Sequence, residues 1–226
     1  GIVTVADKAP ITFKMHLPED LDNKLANPGL PRASIAPDAD HPNGSEDAPR
    51  KDMSVLQQHI EFFDRSKSGT IYPWETYSGM RSLGFNMPFS ALASVIINGS
   101  FSYPTSSSYI PSPFFPITVE NIHRGKHGSD TGVYDTEGRF IPEKFEEIFS
   151  KFDVGNKGGL TFSEFYEMTV SMRVTQDFFG WFAAKFEWGT LYLLGQKDGI
   201  VPKEVIRRQY DGTLFYEIER KGQEKK

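Results

Sequence analysis

One run of twelve residues limits this chain more than any other: Asp64-Arg65-Ser66-Lys67-Ser68-Gly69-Thr70-Ile71-Tyr72-Pro73-Trp74-Glu75. With Asp64 at position 1, hydroxyls stand at 3 and 5, glycine at 6, an aliphatic residue at 8 and Glu75 at 12. That is the frame of an EF-hand calcium loop. A hard cation needs six to eight oxygens, and such a loop wraps them around one ion. Asp64, Ser66, Ser68 and the Thr70 carbonyl supply the first half. Gly69 makes the turn and Glu75 closes the site with both oxygens. Only Asp64 and Glu75 are charged, so the spacing predicts a loop of modest affinity.

The apolar spacing of Val55, Leu56, His59, Phe62 and Phe63 predicts a helix entering the loop from Asp52 or Ser54. A second helix, Trp74 to Leu83, leaves it. His59 therefore stands five residues before the first ligand, on an aromatic helix face. By spacing alone it is either a satisfied core histidine or a cofactor ligand.

From Ser82 to Val119 no residue is charged and none is histidine. Met87 to Ile97 predicts an apolar helix of about three turns, short of the ~18–20 residues that span a bilayer. A Ser-rich stretch follows, then Pro111, Pro113 and Pro116, which force an extended or turned path. Such a segment between charged flanks is expected to lie in an apolar interface rather than through it.

A polar stretch, 120–140, contains His123 and His127, with Asp130 close behind. On one helix face these three would suit a two-histidine, one-carboxylate iron site, but Gly125 and Gly128 argue against a regular helix. A helix from Pro142 to Phe152 then leads into Asp153 to Glu164, a second loop of EF frame with Gly155 at 3 and Lys157 at 5. Neither supplies an oxygen, so this loop is expected to hold no calcium and to pair with the first, Ile71 meeting Leu160. Gln176 to Leu194 is more aromatic than one helix face can bury. A last helix is expected from Lys203 to about Tyr210, with a charged tail beyond it.

The chain has no cysteine, which excludes disulfides, thiolate nucleophiles, cysteine zinc sites and haem–thiolate ligation. A net charge of −5 gives no reason to expect nucleic acid. The first residues show no cleavable signal pattern. Residues 1–50 alternate acids with Pro and Gly and predict an irregular arm, with His16 and His41 as solvated histidines.

Taken together, several blocks resemble the caleosins. They are Leu56-Gln57-Gln58-His59, Phe62-Phe63-Asp64, Pro111-Ser112-Pro113, Asn121-Ile122-His123, and Lys126-His127-Gly128-Ser129-Asp130-Thr131-Gly132-Val133-Tyr134-Asp135. Gly138-Arg139-Phe140, Lys144 to Phe149 and Tyr210-Asp211-Gly212-Thr213-Leu214-Phe215 complete the set. The resemblance covers about residues 51–217, and the middle of the chain is more similar to fungal than to plant members. It implies a mainly α fold: paired EF-hands, one calcium-competent and one degenerate, with an apolar proline-knot insertion and a C-terminal helical region. The divisions expected are an arm (1–50), the calcium hand (52–85), the uncharged segment (86–119), a histidine-rich loop (120–140), the degenerate hand (141–175), C-terminal helices (176–217) and the tail (218–226).

The resemblance also implies Ca²⁺ and haem b as cofactors, with His59 and His127 as the haem-associated and catalytic histidines and His123 a lesser candidate. The activity implied is a peroxygenase that moves one oxygen from a fatty-acid hydroperoxide to an unsaturated lipid acceptor, by epoxidation, hydroxylation or sulfoxidation. The location implied is the cytosolic face of lipid droplets or the endoplasmic reticulum; a homo-oligomer is left open. The competing reading is a calcium-responsive structural protein of the droplet surface without enzymatic activity.

Overall fold

A computed structural model describes residues 3, 5–9, 11, 20–48 and 51–224. His16 lies outside them. Among the described residues the chain is mainly helical, and its only strands are four short ones that make two two-stranded sheets. One turn of helix, α1 (Leu21–Lys24), sits in the N-terminal arm. The first hand is α2 (Val55–Glu61), β1 (Thr70–Ile71) and α3 (Pro73–Ser82). Local chemistry sets each end. Ser54 caps α2 by accepting from Gln57 N at 3.2 Å, while Gln57 Oε1 accepts from Ser54 N at 2.8 Å. Pro73 opens α3, where no amide donor is missed.

Next come α4 (Met87–Thr105), β2 (Ile117–Thr118) and a 3-10 helix (Val119–Gly125). The α4 helix is longer than its apolar core predicts and runs through the Ser-rich stretch almost to its end. Polar anchors extend it. Asn98, buried, donates to Ile71 O at 3.1 Å and Phe115 O at 2.9 Å and accepts from Thr76 Oγ1 at 2.7 Å. Pro104 falls in the last turn, where it takes one amide donor from the helix just before the helix ends at Thr105. The chain continues through α5 (Pro142–Phe152), β3 (Gly159–Thr161), α6 (Phe162–Ser171), α7 (Phe178–Gly195), β4 (Ile200–Pro202), α8 (Lys203–Tyr210) and α9 (Thr213–Glu224). The expected charged tail is thus helical through Glu224. Gly212, at φ +78°, makes the turn between α8 and α9.

The two loops do not pair with each other, which corrects the expected meeting of Ile71 and Leu160. Instead Ile71 pairs with Ile117, and Leu160 pairs with Val201. Each loop finds its strand in the segment that follows it, so the fold consists of two helix–loop–helix pairs in sequence. The partner of the first is α4 and the 3-10 helix, joined by a long proline-rich loop; the partner of the second is α7 and α8. The reason is local. Ile117 and Val201 are the aliphatic residues each pair needs to bury Ile71 and Leu160, and both end fully inside. Phe145, Ile148, Leu160, Phe165, Met168 and Ile206 fill the second pair. Phe62, Met80, Leu83 and Phe215 tie α9 to the first.

The arm packs on the second pair. Arg207, fully buried, donates to Ala36 O and Ser45 Oγ, both at 2.9 Å, and to Glu204 Oε1 at 2.7 Å.

Candidate active site

The loop from Asp64 to Glu75 is pre-shaped. Asp64 accepts from Ser68 N (3.0 Å) and Gly69 N (2.7 Å), and Glu75 accepts from Ser66 N (2.9 Å) and Tyr72 N (3.0 Å). Both carboxylates are buried, and Ser66 and Ser68 lie within 3.2 Å of each other between them. Gly69 takes φ +79°, the turn only glycine makes without strain. The donor set suits a hard cation. In the second loop the corresponding space is taken by Lys157, whose Nζ is 2.9 Å from Asp153 Oδ1, 2.7 Å from Glu164 Oε1 and 2.8 Å from Val154 O.

His59 and His127 are brought together, both opening onto one cavity of about 260 Å³. Its walls are mostly aliphatic and aromatic, from α2, α3, α4, the 3-10 helix and α7. His59 is held from behind: its Nδ1 is 2.7 Å from the Gln209 carbonyl, and its ring meets Phe215 edge-on at 5.2 Å. A carbonyl only accepts, so Nδ1 carries the proton and the Nε2 lone pair is left for the cavity side. Burial holds this imidazole below its ordinary pKa, and the Gln209 carbonyl offsets only part of that.

Three features of the following loop and α7 place His127. Ser129 donates from both N and Oγ to Asp177 Oδ2 at 2.7 Å. Asp177 in turn caps α7 by accepting from Gly180 N. Asp177 Oδ2 and Glu187 Oε2 stand 3.9 Å from His127 Nδ1 and Nε2 respectively. Neither distance is a hydrogen bond, and His127 Nδ1 is buried without a partner. Burial alone would push His127 down, but Glu187, Asp130 and Asp177 together hold it above its ordinary value.

His123, the lesser candidate, does not line the cavity. It precedes Gly125, where the 3-10 helix ends, and Lys126 turns extended, so His123 and His127 share no helix face. Among the described residues, His123, His127 and Asp130 do not gather as an iron site. The group of three whose ligand atoms do come together, Asp38, His41 and Glu204, lies between the arm and α8. There Arg207 already holds both Glu204 oxygens, at 2.7 and 2.9 Å.

Sequence reasoning missed four groups of this site. Gln209 acts through its carbonyl, so its side chain carries no signal. Tyr134 and Tyr210 also line the cavity; the Tyr210 hydroxyl lies 2.8 Å from Thr131 Oγ1, and burial pushes both phenols up. Glu187 had a legible signal, being the single acid within Phe178–Gly195.

The α4 helix is apolar both toward the cavity, with Ile96, Ile97 and Phe101, and toward the outside. It buries Ser90, Ser94, Asn98, Ser102 and Thr105 along one stripe and turns Met87, Leu92, Val95 and Tyr103 outward. Among the described residues no helix is long and apolar enough to cross a membrane.

Comparison with known proteins places the chain among relatives. The family model described as caleosin related protein matches residues 51–219. A peroxygenase of Lilium longiflorum is 47% identical over 221 residues, 97% of this chain and 92% of that protein. A probable peroxygenase 4 of Arabidopsis thaliana is 43% identical over 183 residues, covering 80% and 93%. A probable inactive peroxygenase-like protein of the same plant is 34% identical over 143 residues, covering 63% and 69%. These relatives are plant proteins, against the fungal likeness expected from the middle of the chain. No solved structure matches.

Proposed function

This chain belongs to the caleosin family, a calcium-binding, lipid-droplet-associated family; two of its relatives compared above are named as peroxygenases and a third as inactive, and from its cavity we propose a haem-dependent peroxygenase acting on fatty-acid hydroperoxides. The observation that carries this is the unequal pair of histidines on one apolar cavity.

The donors suit haem b. His59 presents a neutral imidazole whose Nδ1–H is committed to Gln209 O, the arrangement of a proximal ligand. His127 keeps a buried, unpartnered Nδ1 beside carboxylates. The walls between them include Phe63, Phe101, Phe186 and Phe215, and no thiolate competes. Haem, when bound, supplies the redox centre at which the peroxide bond breaks and oxygen passes to the acceptor.

The remaining work falls to side chains. His127, as the distal group, takes the hydroperoxide proton and returns it to the departing alkoxide oxygen. Glu187 and Asp177 flank its two nitrogens and stabilise the imidazolium that forms between those steps. The apolar walls exclude water, so the oxygen goes to the acceptor. Calcium in the first loop, held by Asp64, Ser66, Ser68, Thr70 and Glu75, fixes the end of α2 and hence the aim of His59. The outward apolar face of α4 supports a position on a lipid droplet or endoplasmic reticulum surface.

The test is isotope transfer. A fatty-acid hydroperoxide labelled with heavy oxygen in both peroxide atoms is mixed with oleic acid and the haem-loaded chain. One labelled atom in the epoxide is expected. Epoxide carrying oxygen from air, or no product at all, would overturn the reading and favour the structural droplet protein.

A further inference from the structure

Helices α4 and α7 face each other across the cavity, and two ring pairs bridge them: Phe101 with Phe179 at 6.3 Å, edge-on, and Phe89 with Phe186 at 6.0 Å, stacked. Phe179 and Phe182 belong to two surfaces at once. Both line the cavity, yet they are 42% and 52% exposed on the outside of α7. The neighbouring Phe178 is more exposed still, at 69%, and does not line the cavity. Both helices also turn apolar residues outward, Leu92 and Val95 on α4 and Phe178 and Leu193 on α7.

We infer that Phe179 and Phe182 form the mouth through which a long-chain fatty acid enters the cavity directly from the apolar outer surface. This rests on the peroxygenase reading and adds to it the route and the residues that select the substrate. The occupant follows from three features. Phe179 and Phe182 belong both to the cavity lining and to the exposed surface of α7, so an acyl chain passing between them leaves one apolar environment for another. One face of α7 lines it from Phe179 to Leu194, about 22 Å at 1.5 Å per residue, a trough suited to an extended chain rather than a compact solute. Phe179 also meets His127 edge-on at 6.3 Å, whereas His59 lies against Phe215 of α9. An entering chain therefore passes the His127 side of the cavity first, the side given to the distal role. The rings themselves are suited to moving. They touch edge-on or in loose stacks and carry no hydrogen bond that opening would break.

The experiment measures binding, not turnover. Equilibrium dialysis of the full chain against radiolabelled oleic acid is expected to show saturable binding. Phe179→Asp and Phe182→Asp place a charge on the apolar path and are each expected to weaken it about tenfold or more. Phe178→Asp is expected to leave it unchanged within about twofold, as a ring on the same patch that does not line the cavity. Phe182→Ser, a milder change at a half-exposed site, covers the case in which a charged variant fails to fold, with thermal unfolding of every variant as the check. Absence of saturable binding by the unmodified chain, or equal losses at Phe178 and Phe179, would overturn the inference. Neither outcome depends on haem or on oxygen transfer. Failure of the peroxygenase reading with intact oleate binding, or the reverse, would be seen as such.

Discussion

The ammonium of Lys157 lies 2.7 Å from Glu164 Oε1, in the place where a calcium ion would sit in the second EF-type loop. It is also 2.9 Å from Asp153 Oδ1, so a side chain supplies the cation that the loop's two acids require. Burial pushes Asp153 and Glu164 up, but the Lys157 hydrogen bonds and backbone donors outweigh it and keep both below their ordinary values. In the first loop the corresponding residue, Ser68, carries only a hydroxyl and leaves room for an ion.

One calcium per chain is the expected stoichiometry by titration calorimetry. Lys157→Ala should destabilise the chain by about 1–3 kcal/mol, because two acids lose their shared partner. Millimolar calcium should restore part of that loss, since an ion bound only to the folded state stabilises it. A second calcium site in the unmodified chain, or no calcium response in the variant, would contradict this account of the loop.

Glu75→Gln removes one of only two charged ligands and should lower calcium affinity roughly 100-fold. Because α2 ends at the loop and holds His59, turnover should fall in parallel and recover at high calcium. Loss of calcium binding with unchanged turnover would show that the loop has no part in aiming His59.

Gly212 sits where α8 gives way to α9. A Cβ there would fall 2.5 Å from Gln58 O, in a backbone conformation that disfavours side chains. Gly212→Ala should cost more than about 2 kcal/mol and push α2 away from Gln209. Weakened haem retention at temperatures where the variant is still folded is the specific expectation. Retention as strong as in the unmodified chain would contradict it.

Two acid limbs should separate with pH. His59 is held below its ordinary 6.5 in the folded chain, chiefly by burial. As pH falls below 6.5 the unfolded chain takes up a proton that the folded chain resists, so the stability associated with neutral His59 is lost on the acid side. His127 is raised above 6.5, because its three carboxylates outweigh burial. Its base form, which accepts the hydroperoxide proton, is therefore present only as pH rises through that higher value. Turnover should decline with acidification before haem retention does. Glu187→Gln should shift the turnover limb to lower pH, as it removes one of those carboxylates. Following turnover and the haem band in the same samples checks both, and limbs that coincide would argue against separate roles.

Much of this was legible in the sequence. The loop at Asp64–Glu75 carries its own chemistry, and Ser54, Pro73 and Gly69 mark local boundaries that need no tertiary information. Lys157 could be recognised as a replacement for an ion from its position alone. Pairing of the strands was not legible, because Ile71, Ile117, Leu160 and Val201 are equally good aliphatic partners and only the assembled fold chooses among them. The length of α4 was hidden for a related reason: Asn98 and its tertiary hydrogen bonds extend a helix through serines that favour turns when alone. The second wall of the cavity was least visible. Gln209 contributes a backbone oxygen, and Phe215 reaches His59 from a helix more than 150 residues away in sequence.

The most direct test of the central claim is the visible absorption spectrum of the purified chain after expression with haemin, compared with His59→Ala and His127→Ala. The account predicts a haem band that shifts on adding cumene hydroperoxide. It should be lost in His59→Ala and kept in His127→Ala, which should turn over slowly. Absence of the band from the unmodified chain, or its loss to the same degree in both variants, would contradict the assignment of His59 as proximal and His127 as distal.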